Sequence, residues 1–147
     1  MKYLNLRANR FREFPKAVSS LRTLFFKEHL LIALKIYKLP QLEILDISRN
    51  KLSRIPEEIK NMKALRVLSV LYNNIDDVPF CIGYLDTLRV LKLAGNPLTH
   101  DLKRIVDSTD GSPTRNANDY EKDALLTKKV KKYLKAAAAS ESGGESR

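Results

Sequence analysis

Apolar residues in the middle of the chain recur at a spacing far longer than the period of a helix or a strand. Leu45, Leu68 and Leu91 stand 23 residues apart, as do Ile47, Val70 and Leu93, then Asn50, Asn73 and Asn96, then Leu52, Ile75 and Leu98. Leu42, Leu65 and Leu88 head the three units, and Ile55 with Val78, Pro56 with Pro79, Ile59 with Ile82 and Met62 with Leu85 keep the same step. In each unit the short Leu-x-Leu alternation puts two side chains on one face of a brief strand. A single unit cannot bury that face alone, so the units stack, pair their strands in parallel and share a continuous core. The predicted fold class is α/β, a solenoid with short parallel strands on its concave face and irregular or short helical segments on its convex side, followed by C-terminal helices.

The asparagines fall where the chain turns out of each strand, where a side-chain amide can bond backbone groups that would otherwise be unpaired. Asn9, Asn50, Asn73 and Asn96 are therefore expected to form a structural ladder rather than a ligand site. Asn9 belongs to an earlier unit, marked by Leu4, Leu6, Phe11, Phe14, Pro15 and Val18. The following unit arrives late, and removing residues 19–36 (SSLRTLFFKEHLLIALKI) restores the regular step by running Val18 into Tyr37. Two readings of this interruption stay open. It is either a true insertion on the convex side, whose apolar residues need cover and form a candidate docking element, or translated intron sequence. The abrupt edges and the lack of a helical or strand period favour the second. The first strand also lies almost on Met1 with no capping unit before it, which suggests a chain cut short at that end.

Beyond the third unit, Gly95 to Leu98 turn the chain and Thr99 is placed to cap a helix over about 99–106 that would cover the last repeat through Leu102, Ile105 and Val106. The repeat domain is thus read as 1–106, with the interruption at 19–36. Residues 107–119 are polar, with Gly111 and Pro113, and read as a linker in which Ser112 precedes a proline, a minimal kinase context. An amphipathic helix is expected over 120–139, with Leu126, Val130, Tyr133, Leu134 and Ala137 as its apolar stripe, and a disordered tail over 140–147.

Charge changes the picture only locally. The 147 residues carry 27 Lys and Arg against 17 Asp and Glu, but the excess is spread along the chain. Its densest block is Lys128, Lys129, Lys131, Lys132 and Lys135 on the 120–139 helix. Such a helix could tether the chain to an acidic membrane or partner; a solvated lysine face is the commoner explanation. The spread gives no specific nucleic-acid footprint. Cys81 is the only cysteine, so no internal disulfide forms, and no secretory leader is evident, which together point to a cytoplasmic location. The longest apolar run, Leu30 to Leu34, falls well short of the roughly 20 residues that span a bilayer.

Catalytic chemistry finds no support. Only His29 and His100 occur, and no glycine pattern cradles a phosphate. Cys81, between Pro79 and Ile82, has no metal-ligating partner at the right spacing and reads as packing. The acidic pairs Glu57 with Glu58 and Asp76 with Asp77 sit on outer turns where charge is simply solvated. A non-enzyme without metal or cofactor is expected.

The strand residues that alternate with the core leucines define the surface that can bind. Their first row is Tyr3, Ile44, Val67 and Val90, the second Asn5, Asp46, Ser69 and Lys92, and the third Arg7, Ser48, Leu71 and Ala94, flanked by Arg49 and Tyr72. Of these, Tyr3, Arg7, Ile44, Asp46, Arg49, Val67, Ser69, Leu71, Tyr72, Val90 and Lys92 are the candidate partner-binding residues. An apolar row beside aromatic and arginine side chains has the make-up of an interface hot spot, although Ile and Val also suit parallel strands whatever they face.

The unit LxxLxLxxNxLxxIPxxIxxM resembles the leucine-rich repeat. Its LxxIPxxI portion, here LSRIPEEI and IDDVPFCI, is similar to that of intracellular leucine-rich-repeat proteins of the Ras-suppressor and Ras-scaffold type. The run from Leu39 to Leu98 looks most like the fungal RAM-network leucine-rich-repeat scaffolds. That resemblance implies a cytoplasmic adaptor for signal transduction, whose protein partners would be components of an NDR-type kinase cascade. The chain departs from the pattern in its interruption and in lacking a long C-terminal signalling region, so a fragment of a larger signalling protein is a second expectation.

Overall fold

The computed structural model describes residues 3–5, 7–8, 41–108 and 119–144. The interruption at 19–36, Asn9, the linker stretch 109–118 with Ser112, and residues 145–147 lie outside the described residues. Four strands, β1 (Tyr3–Asn5), β2 (Ile44–Asp46), β3 (Val67–Ser69) and β4 (Val90–Lys92), form one parallel sheet in chain order. Leu4, Leu45, Leu68 and Leu91 stand opposite one another across it. The sequence spacing therefore becomes strand register directly.

On the outer arc, Pro56 and Pro79 each precede a single 3-10 turn, Glu57–Asn61 and Phe80–Tyr84. Proline fixes its own φ near the value needed to enter a helical turn. The turns then close through the Ile59 and Ile82 N–H groups, which donate to the Pro56 and Pro79 carbonyls at 3.2 and 3.1 Å. Both isoleucines point inward and are fully buried. Strand leucines, turn isoleucines and the unit-heading leucines form one apolar cluster that runs without a break from Leu42 to Leu134.

Each exit from a strand passes through one residue in the left-handed region: Ala8, Arg49, Tyr72 and Gly95, with φ of 59, 55, 53 and 76°. Only glycine occupies this region freely, and a residue with a side chain costs about 1–2 kcal/mol there. At Gly95 the space decides as well, since an added Cβ would lie 2.3 Å from Cδ1 of Tyr72. Gly95→Ala is expected to destabilise the chain by about 1–3 kcal/mol. In a Tyr72→Ala background the same change should retain only its backbone part. Thermal melts of the four variants measure the difference, and equal costs in both backgrounds would show that the ring does not press on Gly95.

The described residues also form two helices, α1 (His100–Asp107) and α2 (Asp119–Gly144). Thr99 stands at the N-cap of α1 but makes no side-chain cap bond. Although α1 adds Leu102 and Val106 to the core, the element lying against β4 and the Phe80–Tyr84 turn is α2, not the 99–106 segment expected to cover the last repeat. Leu126, Val130 and Leu134 of α2 are buried in the shared core. The approach is close at Gly83, where a Cβ would stand 3.2 Å from the Lys131 carbonyl oxygen and 3.3 Å from the Leu134 Cβ.

Polar groups of α2 satisfy backbone that a further repeat would otherwise engage. Thr127 Oγ1 accepts the Leu91 N–H at 2.8 Å and donates to the Asp123 carbonyl at 2.7 Å. Lys131 Nζ donates to the carbonyls of Leu85 and Leu88 at 2.6 and 3.3 Å. Partial burial lowers the Lys131 amine below its ordinary range. Covering an edge strand with a helix in this way hinders its pairing with another chain. The helix also runs further than expected, through Ser140 to Gly144, where a disordered tail was anticipated. Ser140 and Ser142 hydroxyls donate to the carbonyls of Ala136 and Ala138, a back-bond that lets a polar serine continue a helix.

Candidate functional site

The inner face of the sheet forms an open trough of about 260 Å³. Its floor comes from the strands. Ile44 and Val67 line it from the first row and are half-buried, while Tyr3 at the end of that row is 54% exposed. Asp46, Ser69 and Lys92 line it from the second row, and Arg7, Ser48 and Leu71 from the third, with Arg49 and Tyr72 on the rim.

Ten of the eleven candidate partner-binding residues thus come together there; Val90 does not. Val90 is 1% exposed, on the strand against which α2 packs, and offers no surface to a partner. Ser69 reaches the trough but is itself buried, and its hydroxyl shares a 2.7 Å hydrogen bond with that of Ser48. This pair joins β3 to the unit before it and is structural in the first place. Asp46 accepts the Ser48 N–H at 3.0 Å, and Lys92 is held by Asp123 of α2 at 3.2 Å.

The rim holds a feature that hydrophobic patterning does not reveal. The Arg49 guanidinium stands 4.8 Å from the centroid of the Tyr72 ring, and that ring in turn lies over Gly95. The three residues form a stack across successive units, tied beneath by the Arg49 and Tyr72 N–H groups donating to the Leu71 and Ala94 carbonyls at 2.8 and 3.0 Å. Gly95, aligned with Arg49 and Tyr72 at the repeat spacing, was the available signal for a left-handed position.

Under the trough the asparagines bridge the units. Asn73 Nδ2 donates to Val70 O at 3.0 Å and to Ile47 O of the preceding unit at 3.3 Å, while its Oδ1 accepts the Leu52 N–H at 3.1 Å. Asn96 repeats this, donating to Leu93 O and Val70 O and accepting from the Asn73 and Ile75 N–H groups. Asn50 donates to the Ile47 and Ser48 carbonyls.

A family model described as leucine rich repeat matches residues 40–98. Those residues are leucine-rich repeats. No curated protein matches the chain. The leucine-rich repeats supply most of the trough, and β1 with the turn after it extends it through Tyr3 and Arg7. Domains of this kind generally mediate protein–protein interaction, in keeping with an adaptor.

Outside the repeats, α2 turns its apolar stripe into the core and leaves Lys128, Lys129, Lys132 and Lys135 exposed. A stripe committed to the protein core is not available to enter a lipid surface. Among the described residues no helix is long and apolar enough to cross a membrane, and no cluster of His, Cys, Asp and Glu is arranged to hold a metal ion. Cys81 is half-buried, its thiol 3.6 Å from the Glu57 carbonyl oxygen, and burial together with the Glu57 charge pushes its pKa up. That direction lowers the thiolate fraction a nucleophile would need.

Proposed function

We propose that the chain is a non-enzymatic adaptor of the cytoplasm, a leucine-rich-repeat solenoid that holds a segment of a partner protein in its concave trough. The observation that carries this reading is the clustering of half-exposed Ile44, Val67 and Leu71 with the exposed rings of Tyr3 and Tyr72 in one concavity. Interfaces are enriched in such aromatic anchors, surrounded by apolar contacts that exclude water. The resemblance of the run from Leu39 to Leu98 to the RAM-network scaffolds supports a signalling role, with a kinase-cascade component as partner.

Two exposed tyrosines allow a direct test. Tyr72 is on the trough rim and Tyr84, 58% exposed, is on the outer Phe80–Tyr84 turn. Replacing each in turn by the photocrosslinking residue p-benzoylphenylalanine, in the native cell, is expected to give a discrete adduct from position 72 and none from position 84. Adducts from position 84 alone, or the same adducts from both, would overturn the assignment of the binding face.

A further inference from the structure

Two of the left-handed positions carry large side chains, although glycine fills the equivalent place in the next unit at Gly95. Strain retained by a bulky residue where glycine would relieve it points to work done by the side chain. Here the side chains are organised. The Tyr72 ring is seated over Gly95, and the Arg49 guanidinium lies over that ring at the rim of the trough. A planar guanidinium held this way matches a carboxylate through two parallel hydrogen bonds. Among the described residues no carboxylate ion-pairs with Arg49. Among the described residues lining the trough, the charges run the same way: Arg7, Arg49 and Lys92 stand against one acid, Asp46, with Arg7 and Lys92 holding partners of their own.

We infer that Arg49 is the anchor for a carboxylate side chain of an extended, acidic peptide segment of the partner. Its neighbouring apolar residues cover Val67 and Leu71 while Tyr72 holds the arginine in place. The inference rests on the trough being the binding face and names the chemistry of what lies in it. Asp46 faces the same trough, so it weakens an acidic ligand and would favour a basic one.

The test uses the full 147-residue chain and a library of random twelve-residue peptides displayed on phage, selected at low salt. Selected peptides are expected to carry Asp or Glu at one recurrent position and to lose binding to a folded Val67→Gln, Leu71→Gln double variant. For a synthesised peptide of that set, Arg49→Gln should weaken binding about 10- to 100-fold. Arg49→Lys, which keeps the charge but not the fork, should fall between, and Asp46→Asn should strengthen binding about two- to fivefold. Circular dichroism melts confirm that each variant is folded. Peptides that depend on Val67 and Leu71 but are neutral or basic, or are unaffected by Arg49→Gln, would overturn the anchor and leave the binding face standing. Displacement of the peptide by a twelve-nucleotide thymidine oligomer of equal or higher affinity would assign the arginine to phosphate and also overturn it. Failure to select any peptide sensitive to the double variant would remove the binding-face reading and the anchor with it.

Discussion

Val130→Asp is expected to unfold the repeats from their C-terminal end. Val130 is fully buried between Leu126 and Leu134 in the stripe that α2 presents to the core. A carboxylate placed there has no cation designed to meet it, and an uncompensated buried charge costs about 3–5 kcal/mol. That is a large part of the roughly 5–15 kcal/mol by which small domains are stable. The nearby Lys131 amine does not rescue it, because it is committed to the carbonyls of Leu85 and Leu88. Lys132→Asp, two residues further on and on the exposed face, should change stability by no more than about 0.5 kcal/mol. Urea unfolding followed by circular dichroism compares the two. Similar midpoints would mean that α2 is not packed on the repeats and that its stripe is free.

Asn73→Ala carries the second large effect, with an expected loss of about 3 kcal/mol. The asparagine is 5% exposed, and its amide serves three buried backbone groups in two units. Truncation leaves the Leu52 N–H without its acceptor and removes the side-chain donor shared by the Ile47 and Val70 carbonyls. Each buried group left unmatched costs about 1–3 kcal/mol, partly recovered where a water can enter. Asn73→Asp separates the two halves of the argument. It keeps the acceptor toward Leu52 but turns an anionic oxygen toward two carbonyls, so it should be no less damaging than alanine. A thermal melt showing less than about 0.5 kcal/mol of loss for the alanine variant would remove Asn73 from the support of the sheet.

The repeats were legible because their period is a geometric quantity. Leu45, Leu68 and Leu91 at one spacing become partners in register, and the asparagines, one per unit, become a ladder between units. The identity of the element that closes the end was not legible. The stripe Leu126, Val130, Leu134 announces that one face of α2 is buried but not against what, and only the tertiary arrangement sets it on β4 rather than on a membrane or another chain. The burial of Val90 follows from the same placement. Strand alternation assigns it to the inner face, as it does Ile44 and Val67, yet a long helix at the last strand removes it from reach. The Arg49 and Tyr72 stack escaped because hydrophobic patterning is blind to backbone sign. The clue lay in Gly95, and it becomes a clue only when the units are aligned.

The position of α2 has a consequence for how the protein is made. Synthesis runs at about 5 to 20 residues per second, so roughly 2 to 9 s pass between addition of Leu91 and addition of Leu134. Over that interval the nascent repeats already hold their leucines, while the helix that covers Leu85, Leu88 and Leu91 is still being assembled on the ribosome. Once it emerges, that end of the repeats is adhesive until α2 docks on it. Chaperone occupancy should concentrate in that window, and pauses in translation between the third unit and α2 would lengthen it.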